Sequence, residues 1–149
     1  MATLRINVDD HQVQQALASL ATKTANLKPA FAQVGEYMVL RTQERFKQER
    51  DPQGNPWTKL AVSTLKRKQK KAKIPKILQQ DGDLRKSIVY KASNSQVEIG
   101  SNRKYARIHQ LGGRAGRGHK VIIPARPYLG VDAVDSAEIQ AIVEDFLRV

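Results

Sequence analysis

Residues 3–8, Thr-Leu-Arg-Ile-Asn-Val, alternate polar and apolar, which predicts a short strand with Leu4, Ile6 and Val8 on one face. Asp9 or Asp10 then offers an N-cap, and the spacing becomes helical. Val13, Ala16, Leu17, Leu20 and Ala21 form one stripe over about three turns. A second helix is predicted from Pro29, a residue suited to a first helical turn because the amide it lacks has no intrahelical partner there. It carries Phe31, Val34, Met38 and Phe46 along one side. Periodicity stops at Asp51-Pro52-Gln53-Gly54-Asn55-Pro56-Trp57, where two prolines and a glycine forbid a continuous helix. Trp57, the only tryptophan, is expected to pin this turn on the core.

Beyond the turn, Ser63-Thr64-Leu65 opens a short helix at most, because Lys66 to Lys73 places six positive charges in eight residues. Such a run repels itself, so the reading is a mobile or frayed basic segment over 64–76. Asp81-Gly82-Asp83-Leu84 forms a turn into a short helical or extended piece. Ser87–Ala92 and Gln96–Gly100 then read as two strands joined at Asn94-Ser95. Tyr105 to Leu111 ends at Gly112-Gly113, and Arg114 to Gly118 reads as part of a loop over 113–120. Val121-Ile122-Ile123 is another strand, closed by Pro124 and Pro127. A last helix, capped at Asp135-Ser136, buries Ile139, Ile142, Val143, Phe146 and Leu147. The order predicts one α+β domain over 1–149: a small antiparallel sheet packed with N-terminal helices and one C-terminal helix, with long basic loops.

At 149 residues the chain has the size of a single domain. With no cysteine it has no disulfide scaffold, thiolate zinc site or cysteine nucleophile. No apolar run approaches the ~20 residues of a membrane span, so a soluble, unexported chain with no membrane partner is expected. Charge changes the picture most. The net charge is +12, and it is unevenly spread: residues 103–126 hold seven basic and no acidic residues, whereas from Asp132 onward five acidic residues face Arg148 alone. A field of this kind favours an anionic partner: nucleic acid, an acidic protein face or an anionic membrane.

Residues of types that serve catalysis resolve into blander roles. Gly113 to Lys120 has phosphate-loop spacing, but His119 stands where the lysine is required and Val121 where a hydroxyl is needed. His11, His109 and His119 show no metal-ligand spacing. Asp81 and Asp83 flank a glycine and read as a turn and cap, although paired carboxylates also serve metal-dependent nucleases. The reading is therefore non-enzymatic, without metal or cofactor. The candidate contact residues are basic: Lys66, Arg67, Lys68, Lys70, Lys71 and Lys73 in the lysine run, and Arg114, Arg117, Lys120 and Arg126 further on. Aromatics are few, so backbone contact with nucleic acid fits better than base readout.

Several motifs in order resemble the phage virion morphogenesis family, the tail-completion proteins of the Mu-like G and S types. They are Asp51-Pro52-Gln53-Gly54-Asn55-Pro56-Trp57-Thr58-Lys59-Leu60, then Ile77-Leu78 leading to Gly82-Asp83-Leu84-Arg85-Lys86-Ser87-Ile88. Next come Ile99-Gly100-Ser101 with Tyr105-Ala106-Arg107-Ile108-His109-Gln110-Leu111-Gly112-Gly113, and Ile123-Pro124-Ala125-Arg126-Pro127-Tyr128-Leu129-Gly130. Asp81 stands where such sequences usually carry threonine, and Tyr128 where phenylalanine is usual. The layout also resembles head–tail joining and minor tail proteins. The resemblance implies a structural subunit of a neck ring that finishes the tail and joins it to the head. It implies as partners further copies of the chain and neck, tail-tube or connector proteins, with non-specific DNA contact, in the bacterial cytoplasm during assembly and then in the virion. Trp57, Gly82, Leu84, Tyr105, His109, Gln110, Gly112, Gly113 and Pro127 are the structural motif positions, with Tyr105, His109 and Gln110 hydrogen-bonding within their own turn. A small basic protein that binds nucleic acid directly is the alternative.

Overall fold

The computed structural model describes residue 15 and residues 26–147. The expected strand over 3–8 and the helix over 13–21 lie outside the described residues. A long helix, α1 (Lys28–Gln48), starts with Pro29 in its first turn and ends where Glu49 turns left-handed at φ 55° and returns its amide to the Arg45 carbonyl. Its apolar positions are set by 3.6-residue periodicity, and Phe31, Val34, Met38 and Phe46 are all buried.

This helix organises the core. On one side it packs on an antiparallel hairpin, β1 (Val89–Ala92) and β2 (Val97–Gly100), registered so that Val89 faces Gly100 and Ala92 faces Val97. Gly35 permits the approach: a Cβ there would stand 2.4 Å from the Tyr90 ring. On the other side lies the C-terminal helix α5 (Ala133–Leu147), whose Ile139 and Val143 are buried. The cap of this helix is one turn earlier than expected. Asp132 accepts from the Asp135 amide at 2.7 Å while Asp135 accepts from the Asp132 amide at 3.1 Å, a reciprocal capping box.

The proline-rich turn is clamped as the sequence suggests. Asp51 receives amides from Gly54 and Asn55, and buried Trp57 stacks edge-on against Phe46 at 5.6 Å while its indole N–H donates to Pro127 O at 2.7 Å. Short helices α2 (Val62–Lys70), α3 (Asp83–Lys86) and α4 (Ala106–Leu111) follow in the chain, α3 and α4 flanking the first hairpin in sequence. Gly82, at φ 78°, occupies the N-cap of α3, and Leu84 is buried.

Two expectations are corrected. The sheet is divided: β3 (Gly113–Ala115) and β4 (Val121–Ile123) form a separate antiparallel ribbon. The arginine–glycine tract is thus a strand and a 3₁₀ turn at Arg117–His119, not a loop. Its glycine-rich composition conceals a strand because pairing with Val121–Ile123 supplies the order that propensity does not. The architecture remains α+β.

Candidate functional site: the basic groove and hairpin

Three of the sequence-selected contact residues, Arg67, Lys68 and Arg126, line one groove, whereas Lys66, Lys70, Lys71, Lys73, Arg114, Arg117 and Lys120 are not in its lining. The lining takes Thr64, Arg67 and Lys68 from α2, and includes Val121, Ile122, Pro124, Tyr105, His109, Arg126, Asp81 and Asp83. The opening encloses about 750 Å³.

Burial sorts these residues into two kinds. Lys68 is buried, and its ammonium donates to Ile74 O at 3.1 Å and Lys76 O at 2.6 Å. Desolvation by burial lowers its pKa. Arg126 is also buried; its Nε donates to Thr58 O at 2.8 Å and its NH2 to Lys59 O at 3.3 Å, while its amide bonds the His109 carbonyl at 2.8 Å. Burial lowers the Arg126 pKa as well. Both had been expected to face a partner, and both are instead fasteners that spend their donors on carbonyls of their own chain. Lys73 pairs with Asp81 at 2.5 Å. The basic run is helical as far as Lys70, and Lys68 within it is held by carbonyls of its own chain. Lys66, Arg67, Lys70 and Lys71 remain exposed on it, as do Arg114, Arg117 and Lys120 on the hairpin.

The motif residues build the scaffold under the hairpin. Gln110 does not bond within its own turn: its Oε1 accepts the amides of Tyr128 and Leu129, each at 3.0 Å, and its Nε2 donates to Leu129 O at 2.9 Å. Tyr128 uses the hydroxyl that a phenylalanine would lack, donating to Ala106 O at 2.7 Å in a fully buried site. Tyr105 meets His109 edge-on at 5.8 Å. His109 Nδ1 is buried and has no hydrogen-bond partner among the described residues. Burial, and then the Arg126 charge, lower its pKa below the ordinary imidazole value. Gly112 has φ 72°, and a Cβ there would lie 2.8 Å from the Ala125 amide nitrogen, so only glycine turns the chain from α4 into β3. Gly113 opens β3 against the Ile108 side chain, and Pro127 supplies the carbonyl that holds Trp57.

Sequence reasoning missed a charged core. Asp135 is fully buried; its Oδ1 accepts from Arg41 Nε at 2.6 Å and the Tyr37 hydroxyl at 3.0 Å, and its Oδ2 forms a very short bond with Arg45. Arg45 also donates to Gly130 O at 2.7 Å, and Arg41 reaches Asp132 at 2.9 Å. Burial by itself would raise the Asp135 pKa, but the hydrogen bonds from Arg41, the Asp132 amide and Tyr37, with the Arg45 charge, hold it below the ordinary value. Tyr37 is pushed up to about 12 by burial and by this carboxylate. The signals were present: Asp132-x-x-Asp135 ahead of an apolar run, and Arg41 and Arg45 one turn apart on a helix whose neighbouring Met38 is buried.

Among the described residues no three His, Cys, Asp or Glu side chains converge as a metal site, and no helix is long and apolar enough to cross a membrane. The exposed features are cationic: Lys66, Arg67, Lys70 and Lys71 on and just after α2, and Arg114, Arg117 and Lys120 on the hairpin.

Comparison with known proteins makes the class specific. The model of the phage virion morphogenesis family matches residues 8–148, and the chain belongs to that family. It is 32% identical over 149 residues to the "Mu-like prophage FluMu G protein 2" of Haemophilus influenzae, covering 99% of this chain and 97% of that one. It is also 32% identical over 139 residues to the "Putative capsid assembly protein G" of Escherichia phage Mu, covering 91% and 88%. No solved structure matches.

Proposed function

We propose that this chain is a structural subunit of virion assembly, acting in a neck or tail-completion ring that finishes the tail and prepares it for joining to the head. The observation that carries this reading is the family match across residues 8–148, which takes in the Trp57 turn and the Gln110 scaffold along with the basic hairpin. The exposed cations support it chemically, because a cationic surface suits docking to an acidic protein face. Copies of the chain are the first partners, and neck, tail-tube or connector proteins the next. A small subunit joins large assemblies by repeating weak contacts about a symmetry axis.

A second reading has its own support, since one relative's name describes capsid assembly. Electron microscopy of particles produced without this chain separates the two. Finished heads beside unjoined or overlong tails are the expected result; aberrant heads would move the role to the capsid. Direct nucleic-acid binding, favoured only by the +12 net charge, would weaken steeply with salt, with a logarithmic slope of about −0.9 per neutralised phosphate on duplex DNA.

A further inference from the structure

We propose that the β3–β4 hairpin is the element by which one copy of the chain grips the next, seated on the outward face of α5 in the neighbouring copy. The inference rests on the self-assembling role proposed above and names the surfaces that would carry it.

The hairpin is poorly supported within its own chain. Three residues pair on each strand, and a lone two-stranded ribbon is marginal in water. Its packing within the chain is chiefly on α4, and every residue from 116 to 122 is exposed. The register sets Arg114 opposite Ile122, so a cation and an apolar side chain share one face. Ile122 is 72% exposed, and Val121, on the other face of the ribbon, and Leu111, at the end of α4, are also open to solvent. Arg114, Arg117 and Lys120 form no ion pair among the described residues.

A complementary surface exists on the same chain, on a different element. Helix α5 turns Ile139 and Val143 inward against α1, and its opposite side presents Val134, Ala137, Glu138, Ala141 and Asp145, all exposed and spaced three or four apart. These residues form one stripe about 16 Å long at 1.5 Å per residue. Val134 and the two alanines form an exposed apolar strip, and at about 3.6 residues per turn Glu138 and Asp145 lie along one edge of it. Neither Glu138 nor Asp145 forms an ion pair among the described residues. Apolar centre therefore meets apolar centre, and free cations meet free anions. A phosphate backbone would satisfy the arginines but leave Ile122 in water, which is why a second copy is the better occupant.

Because the two surfaces differ, the contact is head-to-tail, and a head-to-tail contact that closes produces a ring. A hairpin this small buries less than the roughly 800 Å² per partner of a standard interface, so each contact is weak and closure is what stabilises the assembly.

The test is sedimentation velocity of the full chain over a concentration series, with circular dichroism to confirm the fold. The variants are R114E/R117E, E138K/D145K, the four substitutions combined, and Ile122→Ser. The wild type is expected to self-associate. Each charge reversal should raise the apparent dissociation constant by about tenfold or more, the combined variant should recover most of that loss, and Ile122→Ser should weaken association even at high salt. Self-association untouched by either reversal, or not recovered in the combined variant, overturns this contact and leaves the self-assembling role standing. A wild type that stays monomeric at every concentration removes the role itself, and the contact with it. If R114E/R117E abolishes retention of a duplex oligonucleotide while self-association is unchanged, the hairpin's partner is nucleic acid and the proposal fails.

Discussion

Asp135 shows how a single side chain orders two helices. Its carboxylate is removed from water and takes hydrogen bonds from Arg41, Arg45 and Tyr37 on α1, as well as from the Asp132 amide at the start of α5. Removing one member of such a group leaves the remaining charges buried and unpaired, so Asp135→Asn should cost on the order of 3 kcal/mol in urea denaturation. The folded pKa lies below the ordinary 3.8, so this stabilisation is complete above that value and is lost as the pH falls through and below it. His109 acts in the same direction in a higher window. Burial, and then the Arg126 charge, lower its pKa, so the folded state binds fewer protons than the unfolded one as the pH falls through the ordinary value of 6.5. Stability is therefore full above 6.5 and declines as the pH falls below it. Urea midpoints measured from about pH 7.5 down to 5 should fall for the wild type and stay flatter for His109→Phe, which retains a ring beside Tyr105.

At the scale of elements, α2 is held by a residue that composition alone would place in solvent. Lys68→Glu deprives the Ile74 and Lys76 carbonyls of their donor and should destabilise the fold by about 1–3 kcal/mol. Lys70→Glu and Lys71→Glu, on exposed positions, should stay within about 0.5 kcal/mol by the same denaturation measurement. Gly112→Ala places a Cβ against the Ala125 nitrogen at a left-handed φ and should cost about 1–3 kcal/mol, read as a lowered melting temperature. These cases also mark what was legible in the sequence. The α1 core stripe of Phe31, Val34, Met38 and Phe46 follows from periodicity, and the Trp57 anchor from a lone tryptophan ending a proline turn. The inward turn of Lys68 and Arg126 was not legible, because it depends on carbonyls brought close by tertiary structure. Strand β3 was hidden for a similar reason: its partner, not its residues, makes it a strand. Of the candidate surface, the sequence indicated the charges but not which of them are already spent.

For the whole molecule, charge is separated along the chain and also in its uses. Arg45 and Lys68, with Arg126, are consumed inside the fold, whereas the exposed cations of α2 and the β3–β4 hairpin remain available and the outer face of α5 is acidic. A family member built this way suits an assembly in which each copy presents one kind of surface forward and another backward. Salt should therefore weaken the self-association of purified protein without lowering its urea stability comparably, because exposed pairs are screened and buried ones are not. The most direct measurement is cryo-electron microscopy of mature particles. The account predicts this chain as a closed ring at the neck, the hairpin of each copy lying across α5 of the next. Its absence from the particles, or its presence as separate copies in the head shell, would contradict the account.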